Sequence, residues 1–226
     1  MEIATKLAPI CLAIIMFGLG LGLTTRDFLR VIKTPRDFIV GFLSQVILLP
    51  IIAFGLILII PMPIEIAYKT PETLGKDRIA AVIGARFLYP KGPVLAIDAG
   101  TCITYDILTE DDVYLGGNIS PGAHLRFRAM DEFTHALPLV EQMEVEQLYG
   151  QSTEESMATG VITGIAAEMD GMIERYEEEF SGVQTVICGG DARYFVNMLK
   201  KKIFANRNLV LLGLHKILLF NESKRS

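Results

Sequence analysis

The sequence has few of the residues that build metal and disulfide sites. It holds only three cysteines, Cys11, Cys102 and Cys188, and no two of them form a CxxC pair. That spacing gives no disulfide framework and no cysteine zinc site, and it is compatible with a reducing compartment. The three histidines, His124, His135 and His215, are equally scattered, and no Ser/His or Cys/His nucleophile pair stands out. Positive charge is also short. The 21 Lys and Arg face 26 Asp and Glu for a net charge of -5, which leaves a nucleic-acid role without electrostatic support.

Apolar residues, by contrast, crowd the first third of the 226-residue chain, and mean hydropathy reaches +0.41. Residues 7–23 are apolar apart from their glycines. Residues 38–62 form a longer run, interrupted by Ser44 and Gln45 and containing Pro50. A bilayer core of about 30 Å needs about 20 apolar helical residues. Both runs are therefore predicted as transmembrane helices, an N-terminal pair that would associate the chain with a membrane. Arg26, Arg30, Lys33 and Arg36 in the link between them argue for a cytoplasmic loop. The run from Met16 through Gly18, Gly20 and Gly22 to Phe28, then Pro35-Arg36-Asp37-Phe38 and Leu48-Leu49-Pro50, resembles the beginning of bile acid:sodium symporter family proteins. The resemblance covers about residues 1–67 and only that family's first helices.

Composition changes near Pro61 to Lys69 without a Gly/Ser linker, and from Tyr68 the chain reads as a soluble α/β protein. Two parts are expected: residues 1–67, and a domain over residues 68–226. At the centre of the second lies an apolar strand from Val94, a bend at Asp98-Ala99-Gly100-Thr101, and a second strand through Leu108. Glycine lets a backbone approach a phosphate closely, backbone N–H groups and a Thr hydroxyl donate to it, and a strand-end carboxylate can hold a cation. The same residues also suit an ordinary hairpin turn.

Other signals flank that hairpin. Gly75-Lys76-Asp77-Arg78 opens an Ala-rich helix, where Asp77 suits the positive end of the helix dipole and equally suits a base that takes a proton from a hydroxyl. Residues 115–122 (Leu-Gly-Gly-Asn-Ile-Ser-Pro-Gly) read as a rigid loop before a helix over 123–133, with Arg126 and Arg128 on its solvated face. Ser152 and Glu155 form a capping-box pattern at the start of a long helix. A strand over 183–188 meets Gly189-Gly190-Asp191-Ala192 and a helix over 193–200, an arrangement favoured for anions and nucleotides. The chain closes with an apolar strand over 209–212 and a helix through Phe220.

Taken together and in this order, the motifs at 75–78, 98–101, 116–122 and 189–192 resemble those of type III pantothenate kinases, over about residues 68–226. The resemblance implies a ribonuclease-H-like α/β fold of the acetate/sugar kinase, Hsp70 and actin superfamily. It also implies ATP-dependent phosphorylation of pantothenate at the entry to coenzyme A synthesis. Asp77 would accept the proton of the pantothenate hydroxyl, and Tyr68, Gly75, Lys76, Arg78 and Thr153 would line the substrate site. Gly100, Thr101, Gly189, Gly190 and Asp191 would lie by ATP. Asp98 would bind a monovalent cation, potassium or ammonium, with Mg2+ arriving on ATP. Members of that family are cytoplasmic homodimers. The family's opening Asp-x-Gly-Asn-Thr loop, which cradles the triphosphate, has no counterpart here, and the apolar segment stands in its place. The alternative reading is therefore a membrane-anchored binding domain without catalysis, or a symporter fragment, in a hybrid chain.

Overall fold

The structure is a computed structural model that describes residues 35–48, 51, 61–140, 145 and 147–224. The chain divides into two compact units between Ile60 and Pro61. In the first, helix α1 (Pro35–Leu43) runs into a π-helical turn, Ser44–Leu48. Ser44 Oγ donates to Val40 O at 2.7 Å, while Ile39, Val40, Leu43, Val46, Ile47 and Leu48 expose apolar side chains. Among the described residues no helix is long and apolar enough to cross a membrane. The expected span at 7–23 and much of that at 38–62 lie outside the described residues.

The second unit begins at Pro61, and the chain joins its sheet at Glu65–Ile66, ahead of residue 68. Strand β1 (Glu65–Ile66) pairs in parallel with a later strand of the same sheet. Next come helix α2 (Lys76–Leu88), then strands β2 (Val94–Ala99), β3 (Cys102–Leu108) and β4 (Val113–Pro121). Helices α3 (Ala123–Phe133) and α4 (Thr153–Glu179) follow. The remainder is β5 (Gln184–Cys188), the short α5 (Ala192–Phe195), β6 (Phe204–Ala205) and α6 (Leu209–Ser223). The six strands form one mixed sheet in the order β1-β4-β3-β2-β5-β6. β2, β3 and β4 run as an antiparallel meander, and the outer pairs are parallel.

Side chains alternate across a strand, and that period sorts β2 and β3 into two faces. Leu95, Ile97 and Ala99 of β2 and Ile103, Tyr105 and Ile107 of β3 pack with Phe127 of α3 and with Ile162, Ile165 and Met169 of α4. The alternate residues, among them Asp98, Thr104 and Asp106, belong to the other face, which α2 covers. From Arg78 to Ala85 every residue of α2 is buried, since the sheet lies on one side and α6 on the other. The two helices cross in close contact at Gly84 and Gly213. A Cβ at Gly84 would overlap Leu209 O, and one at Gly213 would overlap Ala80 O.

Four expectations need correction. Residues 115–121 are strand, not loop, because β3 offers partners from Cys102↔Pro121 to Ile107↔Gly116 and, past a bulge at Leu115, Leu108↔Tyr114, and ladder pairing outweighs glycine's weak strand preference. Residues 209–212 are helix, not strand. Four apolar residues in a row do not distinguish the two, and here the run continues as the first turn of α6, seated on α2. The helix expected over 193–200 stops at Phe195. Arg126 is not simply solvated, for it is ion-paired with Glu168 at 2.5 Å. The start of α4 is close to expectation: Ser152 Oγ accepts from Glu155 N at 3.1 Å, and Glu155 Oε2 accepts from Gln151 N.

Candidate functional site

The face of the sheet under α2 carries a polar cluster built around Asp106. Its β3 position places it diagonally from Asp98, since Asp98 pairs with Thr104 and Ala96 with Asp106. Asp106 is fully buried. Arg78 Nε donates to Asp106 Oδ1 at 2.9 Å, and Arg78 Nη2 makes a close ion contact with the same oxygen at 2.7 Å. Tyr114 OH donates to that oxygen at 2.7 Å, and Thr104 Oγ1 donates to Oδ2 at 2.9 Å. The Tyr68 ring tilts against Tyr114 with centroids 6.1 Å apart. Burial works against the charge of Arg78, but its hydrogen bond and attraction to Asp106 outweigh this and hold it firmly protonated. Burial, followed by the charge of Asp106, pushes the Tyr114 phenol up.

Beside this pair the candidate residues gather. Asp77 lies exposed in the first turn of α2, where its Oδ1 accepts from Arg78 N at 2.9 Å. Gly75 sits so close that an added Cβ would overlap Asp77 Oδ1. Asp98 is half-buried, and burial, then the charges of Asp77 and Asp106, push its carboxyl above the ordinary carboxylate range. The bend after Asp98 is clamped on two sides. Gly122 N donates to Thr101 O at 2.9 Å, and Asp191 N donates to Ala99 O at 3.0 Å. Gly189 adopts φ +100°, a backbone region that disfavours any side chain, and a Cβ there would overlap Ala99 O and Asp98 Oδ1. Gly100, Thr101, Gly190 and Asp191 thus surround one strand end, with Thr101 and Gly190 exposed.

The structure therefore brings Gly75, Asp77, Arg78, Asp98, Gly100, Thr101, Gly189, Gly190 and Asp191 around the end of β2 and the first turn of α2, while Tyr68 lies farther along the sheet against Tyr114. Lys76 is exposed at the start of α2. Thr153 lines a separate open cleft of about 820 Å³ with Arg126, Ser152 and Met157. Among the described residues no group of three His, Cys, Asp or Glu side chains is arranged to hold a metal ion.

Two residues of the polar architecture carry no sequence motif. Asp106 is one. Glu168, on the opposite face of the sheet, is the other. It accepts from Ser120 Oγ at 2.5 Å, from Tyr105 OH at 3.2 Å and from Arg126 Nη2 at 2.5 Å. Burial alone would raise its carboxyl, but those hydrogen bonds and the Arg126 charge bring it below the ordinary range. A signal for Asp106 was present: a carboxylate in an apolar strand, at even spacing from Asp98, requires a buried partner.

Comparison with known proteins identifies the family. Residues 9–74 match the sequence model of the sodium bile acid symporter family, and residues 58–175 match that of type III pantothenate kinase. A type III pantothenate kinase of Christiangramia forsetii is 48% identical over 166 residues, which covers 74% of this chain and 68% of the relative. One from Phocaeicola vulgatus is 48% identical over 162 residues, covering 72% and 67%. A solved Campylobacter jejuni protein of the Baf transcriptional-activator family shares the fold, with TM-score 0.50, 24% identity, and coverage of 71% of this chain and 69% of that one. On the strength of the sequence matches, the chain belongs to the type III pantothenate kinase family.

Proposed function

We propose that the unit from Pro61 onward is a ribonuclease-H-like kinase domain that phosphorylates pantothenate with ATP. The observation that carries this reading is that Arg78, 2.7 Å from Asp106, ties the first turn of α2, and with it Asp77, to the face of the sheet that bears Asp98. In the reaction the pantothenate hydroxyl oxygen attacks the γ-phosphorus of ATP, the bond to ADP breaks, and the hydroxyl proton passes to Asp77. Asp77 Oδ2 accepts no hydrogen bond among the described residues, and the side chain is exposed. Tyr68, Gly75, Lys76 and Arg78 border the substrate, with Thr153 touching it from the second cleft. Gly100, Thr101 and the Gly189–Asp191 loop would lie by the nucleotide, and Mg2+ bound with ATP would supply charge neutralisation. Such transfer depends on positioning and charge neutralisation rather than covalent catalysis.

The surroundings of Asp98 fit a cation, because a positive ion would offset the burial and like charge that disfavour its ionised form. Potassium or ammonium would be held there. The kinase unit would form a homodimer, as its family does, and residues 7–23 and 38–62 would associate with a membrane.

The test is ATP-dependent phosphorylation of pantothenate by the full chain in mild detergent, with potassium and magnesium, beside Asp77→Ala. Turnover that Asp77→Ala abolishes is the expected result. A second reading, pantothenate binding without turnover, is favoured by the lack of an Asp-x-Gly-Asn-Thr loop in this sequence. Calorimetric binding from a folded sample that never turns over would select it.

A further inference from the structure

The cleft beside α4 contains a charge that the assigned residues leave unused. Among the described residues Arg126 is the only charged side chain in its lining, set among Met130, Leu137 and Val161 on one hand and Ser152 and Thr153 on the other. Its guanidinium is fixed from behind. Nε donates to Pro121 O at 2.8 Å and Nη2 to Glu168 Oε2 at 2.5 Å, while Nη1 has no hydrogen-bond partner among the described residues. Glu168 is in turn held by Ser120 and Tyr105. Arg78 is in a different condition, buried and already neutralised by Asp106.

We propose that Arg126 receives the anionic end of the substrate in this cleft and sets the preference for an acid over a neutral analogue, with Glu168 as the positioning residue behind it. The lining suits a small acid with a branched apolar body and hydroxyl or amide groups. The inference rests on the reading given under Proposed function, since pantothenate is the acid in question. A guanidinium anchored at two of its nitrogens has its remaining N–H groups already oriented, so a carboxylate gains charge-assisted hydrogen bonds at little ordering cost.

The test is calorimetric titration of the full chain with pantothenate and with pantothenol, its neutral alcohol analogue. Wild type is expected to prefer pantothenate by about tenfold or more, the worth of one charge-assisted hydrogen bond. Arg126→Gln should abolish that preference while leaving pantothenol affinity unchanged. Arg126→Lys, which keeps the charge, should retain part of it. Glu168→Gln should reduce it without affecting pantothenol. A folded Arg126→Gln that keeps the wild-type preference overturns the proposal and leaves the kinase reading intact. If Arg126→Gln does not fold, an unchanged preference in Glu168→Gln overturns it instead. Wild type that binds neither compound overturns both this inference and the reading on which it rests.

Discussion

Arg78 and Asp106 form a buried ion pair between the first turn of α2 and the middle of β3, with Arg78 Nε 2.9 Å and Nη2 2.7 Å from one carboxylate oxygen. The pair anchors the helix that carries Asp77 to the strand beside Asp98. Removing one member of such a pair leaves the other charged and buried, at a cost of about 3–5 kcal/mol. Asp106→Ala should therefore lower the urea-unfolding free energy by that order, and it also deprives Tyr114 and Thr104 of their acceptor. A loss under about 1 kcal/mol, the scale of an exposed salt bridge, would contradict the buried pairing.

Glycines in two helices should respond in opposite directions. At Gly84 an added methyl meets the Leu209 carbonyl of α6, whereas at Gly164, midway along α4, it meets nothing within 4 Å. Gly84→Ala is expected to cost about 1–3 kcal/mol through overpacking. Gly164→Ala should stabilise by about 0.5–1 kcal/mol through helix propensity. Thermal melts of the two variants decide it, and equal shifts would refute the close crossing of α2 and α6.

Two carboxylates give opposite pH signatures. The Glu168 carboxyl is held below its ordinary value of 4.5 in the fold, so its stabilising contribution is complete above about pH 4.5 and disappears as pH falls through the lowered value. Glu168→Gln should flatten the acid limb of the stability curve. Asp98 is displaced upward, so its charged form opposes folding at neutral pH. Asp98→Asn should raise the melting temperature at pH 7 while weakening any dependence of binding on potassium. A lower melting temperature for this variant would show that the charged form is favoured by partners around it.

Thiol chemistry should separate two cysteines. Cys102 is exposed and Cys188 is buried in β5, where burial, then the charge of Asp98, pushes its thiol up. In a Cys11→Ser background, a disulfide reagent at pH 8 should label one thiol within minutes and the second only on unfolding. Thiolate is the reactive form, so a rapid second label would mean that β5 opens readily.

Local signals were legible where a few neighbouring residues decide the structure. The cap at Ser152 rests on its own side chain, and the bend at Asp98–Thr101 and the helix start at Gly75 are each marked by a short local motif. The strand over 113–121 and the helix over 209–223 depend on distant partners, β3 in one case and α2 in the other, and local composition pointed elsewhere. The site divides along the same line. Asp77, Asp98 and the glycine turns come from short motifs, and the fold brings them together. Asp106 and Glu168 are single carboxylates inside regular elements, and only the fold reveals that three residues donate to each.

Tyr105 and Asp106 are consecutive in β3, paired across from Ile97 and Ala96, and their hydroxyl and carboxylate point to opposite sides of the sheet. A one-residue slip of the β2–β3 hairpin would exchange them. Asp106 would then take the place of the Tyr105 phenol beside Glu168, a like charge, and the Tyr105 phenol would face Arg78 in its place. Neither error could be accommodated by adjusting one layer alone. The hairpin at the candidate site is thus proofread from above and below, and its alignment is set by two adjacent residues before any ligand is present.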